Sequence, residues 1–90
     1  MRRPTFTGQF KKDIRRMKRR GKDLSKLRLV MDEIGHGRKL PDGLRDHLLK
    51  GNWRGRRECH IEPDWLLIYV FRGDEEVVFE RTGRHTDLFD

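Results

Sequence analysis

The feature that most constrains this chain is an unbroken apolar run at positions 65–71, Trp-Leu-Leu-Ile-Tyr-Val-Phe. Only 33% of the 90 residues are hydrophobic and 41% are charged, so apolar side chains are scarce elsewhere. A strand that is apolar on both sides requires both faces of its sheet to be covered. We therefore predict that 65–71 forms the central strand of a sheet.

Turn signals on either side of this run define two more strands. Glycine, proline and acidic residues place turns at 61–64 and 72–75, and the adjoining strands are then 53–60 and 76–83. Strands joined by such short turns pair antiparallel. These segments predict a three-stranded meander.

The first part of the chain predicts a short edge strand at 5–6, after a proline, and then two helices. Thr7 and Asp23 are N-cap candidates, and Gly21 and Gly35 mark the two helix ends. The apolar stripes are Phe10, Ile14 and Met17 in the first helix and Leu24, Leu27, Val30, Met31 and Ile34 in the second.

The order of these elements predicts an α+β fold in a single domain, residues 1–90. A two-helix hairpin is expected to pack on an antiparallel sheet of three long strands plus the edge strand. Residues 36–52 show no period and contain a Pro-Asp-Gly turn signal, so they are predicted to form an ordered loop.

The charge of the chain points to a polyanionic or acidic partner. Its formal net charge is +7 and its pI about 10.2, which favours nucleic acid. No apolar run approaches the roughly 18 residues needed to span a bilayer, so no membrane partner is expected. The start lacks the apolar stretch of a secretory signal, and the lone Cys59 suits a reducing compartment, so we expect a cytoplasmic protein.

Strand pairing is expected to gather several titratable residues at one edge of the sheet. The turn at 61–64 brings His60 close to Asp64 and Trp65. If Phe71 pairs with Glu76, counting back places Trp65 opposite Thr82 and brings His85 beside Asp64. Arg81 is then expected nearby, and His47 in the preceding loop could fold over the group.

Two histidines beside positive charge suit RNA cleavage by internal transfer. This reaction needs a base for the 2'-hydroxyl proton, an acid for the departing 5'-oxygen and a cation for the phosphate. A free imidazole has a pKa near ~6.5 and can fill either proton-transfer role. The histidine and aspartate spacing matches no standard zinc signature, so we expect neither a metal nor another cofactor.

Several motifs in the second half resemble those of a known family. They are Lys-Gly-Asn-Trp-Arg-Gly at 50–55, His-Ile-Glu-Pro-Asp-Trp at 60–65 and Phe-Glu-Arg-Thr-Gly at 79–83, followed by His85 and Phe89. With them the chain resembles the YafQ family of RelE-like toxins, which occur in bacterial type II toxin-antitoxin modules. The resemblance covers essentially the whole chain.

The resemblance implies a RelE-like fold and an mRNA interferase, a ribosome-dependent endoribonuclease that cuts translated mRNA and inhibits translation. It also implies inhibition by a cognate antitoxin of the DinJ or RelB type, with operator DNA contacted indirectly through the toxin-antitoxin complex.

The motif positions carry six of the family's functional residues over to this chain. They are His47, His60, Asp64 and His85 as catalytic residues and Trp65 and Phe89 as substrate-binding residues. His60 and His85 are our first choices for proton transfer, and His47 is a third participant. Asp64 is expected to orient a histidine or act as base, and Phe89 to stack on a nucleobase. On chemical grounds we assign Arg81 to phosphate or transition-state charge.

The second half of the chain departs from the family pattern in one basic segment. The segment 54–59 is more basic than in the family pattern, and Arg56 or Arg57 could also hold phosphate. This difference leaves codon preference open. Glu58 keeps a carboxylate before His60, which leaves a supporting acidic role open, but we assign it no catalytic role.

Two other functions are compatible with the predicted fold. The chain could be a toxin of the same fold that inhibits DNA gyrase, since a fold does not fix a function. It could also be a non-catalytic nucleic-acid-binding co-repressor that uses its basic helical hairpin. The cluster of histidine and aspartate argues against gyrase inhibition. The very basic first helix and an aromatic-rich sheet left without a role argue against the binder.

Overall fold

Helices and strands form in the segments between the turn residues. The computed structural model describes residues 1–89, and Asp90, the last residue of the predicted domain, lies outside them. In chain order the elements are β1 (Arg3–Phe6), α1 (Gly8–Arg19), α2 (Leu24–Gly35), β2 (His47–Leu48), β3 (Arg57–Glu62), β4 (Trp65–Arg72), β5 (Glu76–Gly83) and α3 (His85–Phe89). No helix in this part of the chain is long and apolar enough to cross a membrane.

The sheet confirms the α+β prediction and adds detail that the sequence did not reveal. Its strand order is β1-β5-β4-β3-β2, so the apolar run occupies the central strand, as predicted. The pairs β3-β4 and β4-β5 are antiparallel, but β1 runs parallel to β5, which makes the sheet mixed. The fifth strand, β2, lies within the segment predicted as a loop, and β3 begins later than predicted, at Arg57.

The two helices begin at the predicted caps. The Thr7 hydroxyl accepts a hydrogen bond from the Phe10 amide at 3.0 Å, and the Asp23 carboxylate accepts one from the Ser25 amide at 3.0 Å. Each cap satisfies an amide that has no partner within its own helix. Gly21, at φ +80°, makes the tight reversal between α1 and α2 because glycine adopts this conformation without steric cost.

The two sides of the sheet have different surroundings. On one side, which we call the helix-side face, α1 and α2 cover the main core, formed by Phe10, Met17, Leu27, Ile34, Leu40, Cys59, Trp65, Leu67, Tyr69, Val77 and Phe79. On the other, the open face, a smaller buried cluster joins Leu66 and Ile68 of β4 to Leu88 of α3. Alternate residues of β4 therefore serve different layers.

The hairpin turn and a bulge in β5 each shift the pairing by one residue, and together they make the predicted register wrong. Arg72, not Phe71, pairs with Glu76, and the pairing then shifts between Ile68 and Tyr69 because Glu80 has no partner on β4. As a result Thr82 lies opposite Leu67, two residues from the predicted position. An inserted residue displaces every later pair along the strand, and counting from a turn cannot detect it.

Candidate active site

The open face carries two of the predicted site residues, His47 and His60, on neighbouring strands. Glu58 and His60 of β3 pair with Ile68 and Leu66 of β4, so all four point to the same side. His47 of β2 pairs with Glu58, and this pairing brings it to the same face. The short β2 thus places a histidine that the sequence could assign only to a loop.

Glu58 lies between two histidines. It is 7% exposed, and its two carboxylate oxygens are 3.4 Å from His47 Nε2 and 3.8 Å from His60 Nε2. The negative charge of this carboxylate therefore faces the Nε2 nitrogens of both rings. Sequence reasoning gave Glu58 no role, although its period-2 spacing from His60 on a predicted strand was a usable signal.

Backbone carbonyls orient both of these rings. His47 Nδ1 donates a hydrogen bond to the Arg45 carbonyl at 2.6 Å, and His60 Nδ1 donates one to the Pro63 carbonyl at 3.3 Å. A carbonyl only accepts, so each contact fixes a proton on Nδ1 and turns Nε2 toward Glu58. Nε2 is then the ring nitrogen available for proton transfer.

The third histidine is held by the same turn that holds His60. The Asp64 carboxylate accepts a hydrogen bond from the backbone amide of His85 at 3.2 Å. The turn at 61–64 thus connects His60, through the Pro63 carbonyl, with His85, through Asp64, as the sequence predicted. The Asp64 carboxylate therefore holds His85 in place through a hydrogen bond to its backbone amide.

Aromatic side chains surround His85 on the open face. Its ring lies 4.8 Å from the Phe89 ring, and Phe89 meets Trp53 edge to face at 5.6 Å. The Arg56 guanidinium lies 5.8 Å from the Trp53 ring and forms an ion pair with Glu80, the bulge residue. A nucleobase could stack here close to a cation.

Two predicted substrate-binding residues lie on the helix-side face. Trp65 is fully buried, and its Nε1 donates a hydrogen bond to the Thr82 hydroxyl at 2.9 Å. Arg81 donates to the buried Asp13 of α1 through Nε at 2.8 Å and Nη2 at 3.3 Å. A buried ring has no surface for a substrate, and a guanidinium paired in this way is not directed at the open face. Both residues support the core that carries the site.

Arg57, another residue considered for phosphate, also points away from the histidines. It donates to Asp46 through Nε at 3.2 Å and Nη2 at 3.3 Å, and Asp46 also accepts a hydrogen bond from the buried Tyr69 hydroxyl at 2.5 Å. These bonds raise the pKa of Arg57, and burial raises that of Tyr69. The group anchors the residue before His47.

Metal-binding side chains and a reactive cysteine are the two other kinds of chemical group that residues 1–89 could contribute. No three or more histidine, cysteine, aspartate or glutamate residues are placed to hold a metal ion together. Burial raises the pKa of the Cys59 thiol to about 12, so this cysteine is not a thiolate nucleophile near neutral pH.

Comparison with known proteins identifies the family. The family described as "Bacterial toxin of type II toxin-antitoxin system, YafQ" matches residues 2–90. The chain belongs to this family. The "mRNA interferase toxin YafQ" of Escherichia coli strain K12 is 44% identical over 85 residues, which cover 93% of this chain and 91% of the relative. Its name confirms the enzyme class predicted from the sequence, an endoribonuclease.

Solved structures of family members have the same fold. The crystal structure of YafQ from Escherichia coli strain BL21(DE3) matches with a TM-score of 0.93 and 40% identity, covering 100% of both chains. A chain of the Escherichia coli DinJ-YafQ toxin-antitoxin complex matches with a TM-score of 0.90 and 41% identity, covering 99% of this chain and 98% of that one. The RelE-like fold prediction is thereby confirmed.

Proposed function

We propose that this chain is a ribosome-dependent mRNA interferase that cleaves translated mRNA by general acid-base chemistry. The observation that carries this proposal is the placement of His47, His60 and His85 on one open face, beside the carboxylates of Glu58 and Asp64. Family membership and the name of the Escherichia coli relative support the choice of substrate.

In the proposed reaction one histidine removes the proton of a 2'-hydroxyl. The 2'-oxygen then forms a bond to the adjacent phosphorus, the bond from phosphorus to the 5'-oxygen breaks, and a second histidine donates a proton to that oxygen. The products are a 2',3'-cyclic phosphate and a free 5'-hydroxyl, so atoms and protons balance without another reactant.

We assign the two proton transfers to His60 and His85, which the turn at 61–64 links. The Glu58 carboxylate faces Nε2 of both His60 and His47, so His47 supplies a second imidazole at the same carboxylate. Arg56 is the guanidinium placed for phosphate charge, and Phe89 with Trp53 offers a stacking surface.

The charge of the molecule supports ribosomal RNA as the surface on which it works. The net charge is +7, and the exposed side of α1 is lined by Lys11, Lys12, Arg15 and Lys18. Such a face binds a phosphate backbone with little regard to base sequence. We propose that α1 docks on the ribosome, which also places the protein in the cytoplasm.

We further propose a cognate antitoxin as the inhibitory partner. The Escherichia coli relative is crystallised with DinJ, and the basic surface of this chain suits an acidic antitoxin segment. Operator DNA would then be contacted through the antitoxin.

The test adds purified, antitoxin-free protein to a reconstituted translation system and maps the 5' ends of a defined message. We expect discrete cuts only when ribosomes translate that message. Gln replacements at His60 and His85 are expected to slow cleavage by about 10²- to 10⁴-fold, the usual contribution of a positioned acid or base.

The chain offers its own matched control. His36, at the end of α2, is exposed and lies away from the open face. Its Nδ1 donates a hydrogen bond to the Asp32 carbonyl at 2.8 Å. His36→Gln should cleave at the wild-type rate. An uncut message with wild-type protein would contradict the proposal and favour gyrase inhibition or co-repression. Cleavage of free RNA at the same rate would remove the ribosome from it.

A further inference from the structure

The helix that carries His85 and Phe89 is too short to hold its own position. α3 spans five residues, whereas an isolated helix needs roughly 12–15 residues to be even marginally stable in water. Its orientation must therefore come from contacts with the rest of the fold. The apolar side is held by Leu88, 7% exposed, which packs against Leu66 and Ile68.

The polar side of α3 is held by a residue of α1. Arg20 donates two hydrogen bonds to the Asp87 carboxylate, from Nη1 to Oδ2 at 2.6 Å and from Nη2 to Oδ1 at 3.1 Å. The two side chains are only 29% and 10% exposed. A bidentate arginine-carboxylate contact fixes both distance and orientation, unlike a single flexible surface pair.

Both partners of this contact are themselves fixed. Arg20 is the C-cap residue of α1, and its backbone amide donates a hydrogen bond to the Arg16 carbonyl at 3.1 Å. The side-chain Nη1 of Arg20 lies 3.6 Å from the sulfur of the buried Met17. Asp87 accepts a hydrogen bond from the Arg84 amide at 2.8 Å, and the Arg84 Nε lies 3.8 Å away.

Gly83, the last residue of β5, leaves room for the Asp87 side chain. A Cβ placed on Gly83 would lie 3.0 Å from Asp87 Oδ2 and 3.1 Å from Asp87 Cβ, closer than ordinary van der Waals contact. Asp87 therefore packs directly on the backbone at the end of β5. This close fit determines where α3 leaves the sheet.

We propose that Arg20 is a positioning residue: through Asp87 it fixes the orientation of α3 and so holds His85 and Phe89 over the open face. Arg20 would act on the reaction from the end of α1, remote in sequence, without touching the RNA. The effect on cleavage rests on the proposed function, whereas the effect on the orientation of α3 does not.

The experiment compares two variants that change net charge in opposite directions. Arg20→Gln lowers the charge by one and Asp87→Asn raises it by one, yet each breaks the same charged, two-point contact between Arg20 and Asp87. The side-chain amide introduced by Asp87→Asn still offers an oxygen to the Arg84 amide, so the helix start is retained. Arg38→Gln is the matched control, because it removes a comparable pair, Arg38 with Glu33 at 3.0 Å, far from α3.

We expect both contact variants to lose the NMR cross-peaks between the Phe89 and Trp53 rings, which lie 5.6 Å apart, while Arg38→Gln keeps them. Cleavage at saturating ribosome concentration should fall by about tenfold or more, since a displacement near 1 Å can cost ~100-fold. The double variant should lose no more than either single one.

Other results would overturn the positioning role. Persistence of the cross-peaks in Arg20→Gln would do so. A cleavage loss in Arg20→Gln without one in Asp87→Asn would also do so, because it would assign Arg20 to direct contact with RNA. If the wild-type protein fails to cleave, the proposed function fails, and the cross-peaks alone decide whether the contact orients α3.

Discussion

The helix-side face and the open face are built from the same strands but satisfy their polar groups differently. On the helix-side face the buried carboxylate of Asp13 accepts hydrogen bonds from Arg81, Arg16 and the Thr82 amide, all within 3.3 Å. On the open face the buried carboxylate of Glu58 faces two imidazoles at 3.4 and 3.8 Å. A carboxylate with several hydrogen-bond donors, like that of Asp13, stabilises the fold. A carboxylate that only faces imidazoles, like that of Glu58, remains available to influence proton transfer.

A matched pair of phenylalanines tests this division most strongly. Phe79 is fully buried on the helix-side face, among Phe6, Phe10 and Tyr69. Phe79→Ala should lower the free energy of unfolding by about 3–5 kcal/mol, from lost transfer free energy and a residual cavity. Urea denaturation followed by circular dichroism measures this change.

Phe89→Ala is the counterpart on the open face. Phe89 is half-buried and lies on the edge of the small cluster, so its loss should cost about 1 kcal/mol or less while slowing cleavage. Equal destabilisation by the two changes would show that the open face also carries the fold, and the comparison would break down.

The two buried carboxylates give a second matched pair. Asp13→Asn removes the charge that holds Arg81 and Arg16, and we expect a loss of about 2–3 kcal/mol, reduced from the ~3–5 kcal/mol of fully buried pairs because Arg81 is 20% exposed. Glu58→Gln should leave the free energy of unfolding within ~1 kcal/mol of wild type at pH 8.

Cleavage assays complete the comparison of these carboxylates. Glu58→Gln is expected to slow cleavage by about tenfold or more, because the charge facing His47 and His60 is lost. Cleavage at the wild-type rate would show that Glu58 takes no part in the reaction.

The sequence predicted those parts of the fold that depend on local rules. The caps Thr7 and Asp23 and the central strand follow from residue type and period, and all three are confirmed. The parallel pairing of β1 with β5 and the bulge at Glu80 depend on contacts distant in sequence, which have no local signature.

The same distinction applies to the candidate site. The turn at 61–64 predicted through short-range geometry that His60 lies beside Asp64. His85 reaches the same edge as predicted, although the register that was used to place it is wrong. The position of Glu58 between His47 and His60 depends on β2, a strand of two residues that no period could reveal. The helix-side positions of Trp65 and Arg81 depend on the partners that α1 supplies.

The smallest effect on stability is expected where the helices contact the end of β3, next to the turn that orients His60. Glu62, at the end of β3, forms ion pairs with Lys22 at 2.8 Å and Lys26 at 2.9 Å. These two hydrogen bonds lower the pKa of Glu62 to about 2 from the ordinary value of 4.5. A carboxylate with a lowered pKa stabilises the folded state above its unfolded pKa and loses that contribution as pH falls through its folded pKa.

The wild-type protein should therefore have a higher Tm than Glu62→Gln above pH 4.5, and the difference should vanish as pH falls to about 2. Added salt should reduce the difference, because both lysines are partly exposed and exposed pairs are screened. Thermal unfolding of both proteins between pH 2 and 7, at low and high salt, measures it. A difference in Tm that persists at pH 2 would mean that Glu62 stabilises the contact between the helices and the end of β3 through packing. The open face would then be connected to the helices by a contact that does not depend on charge.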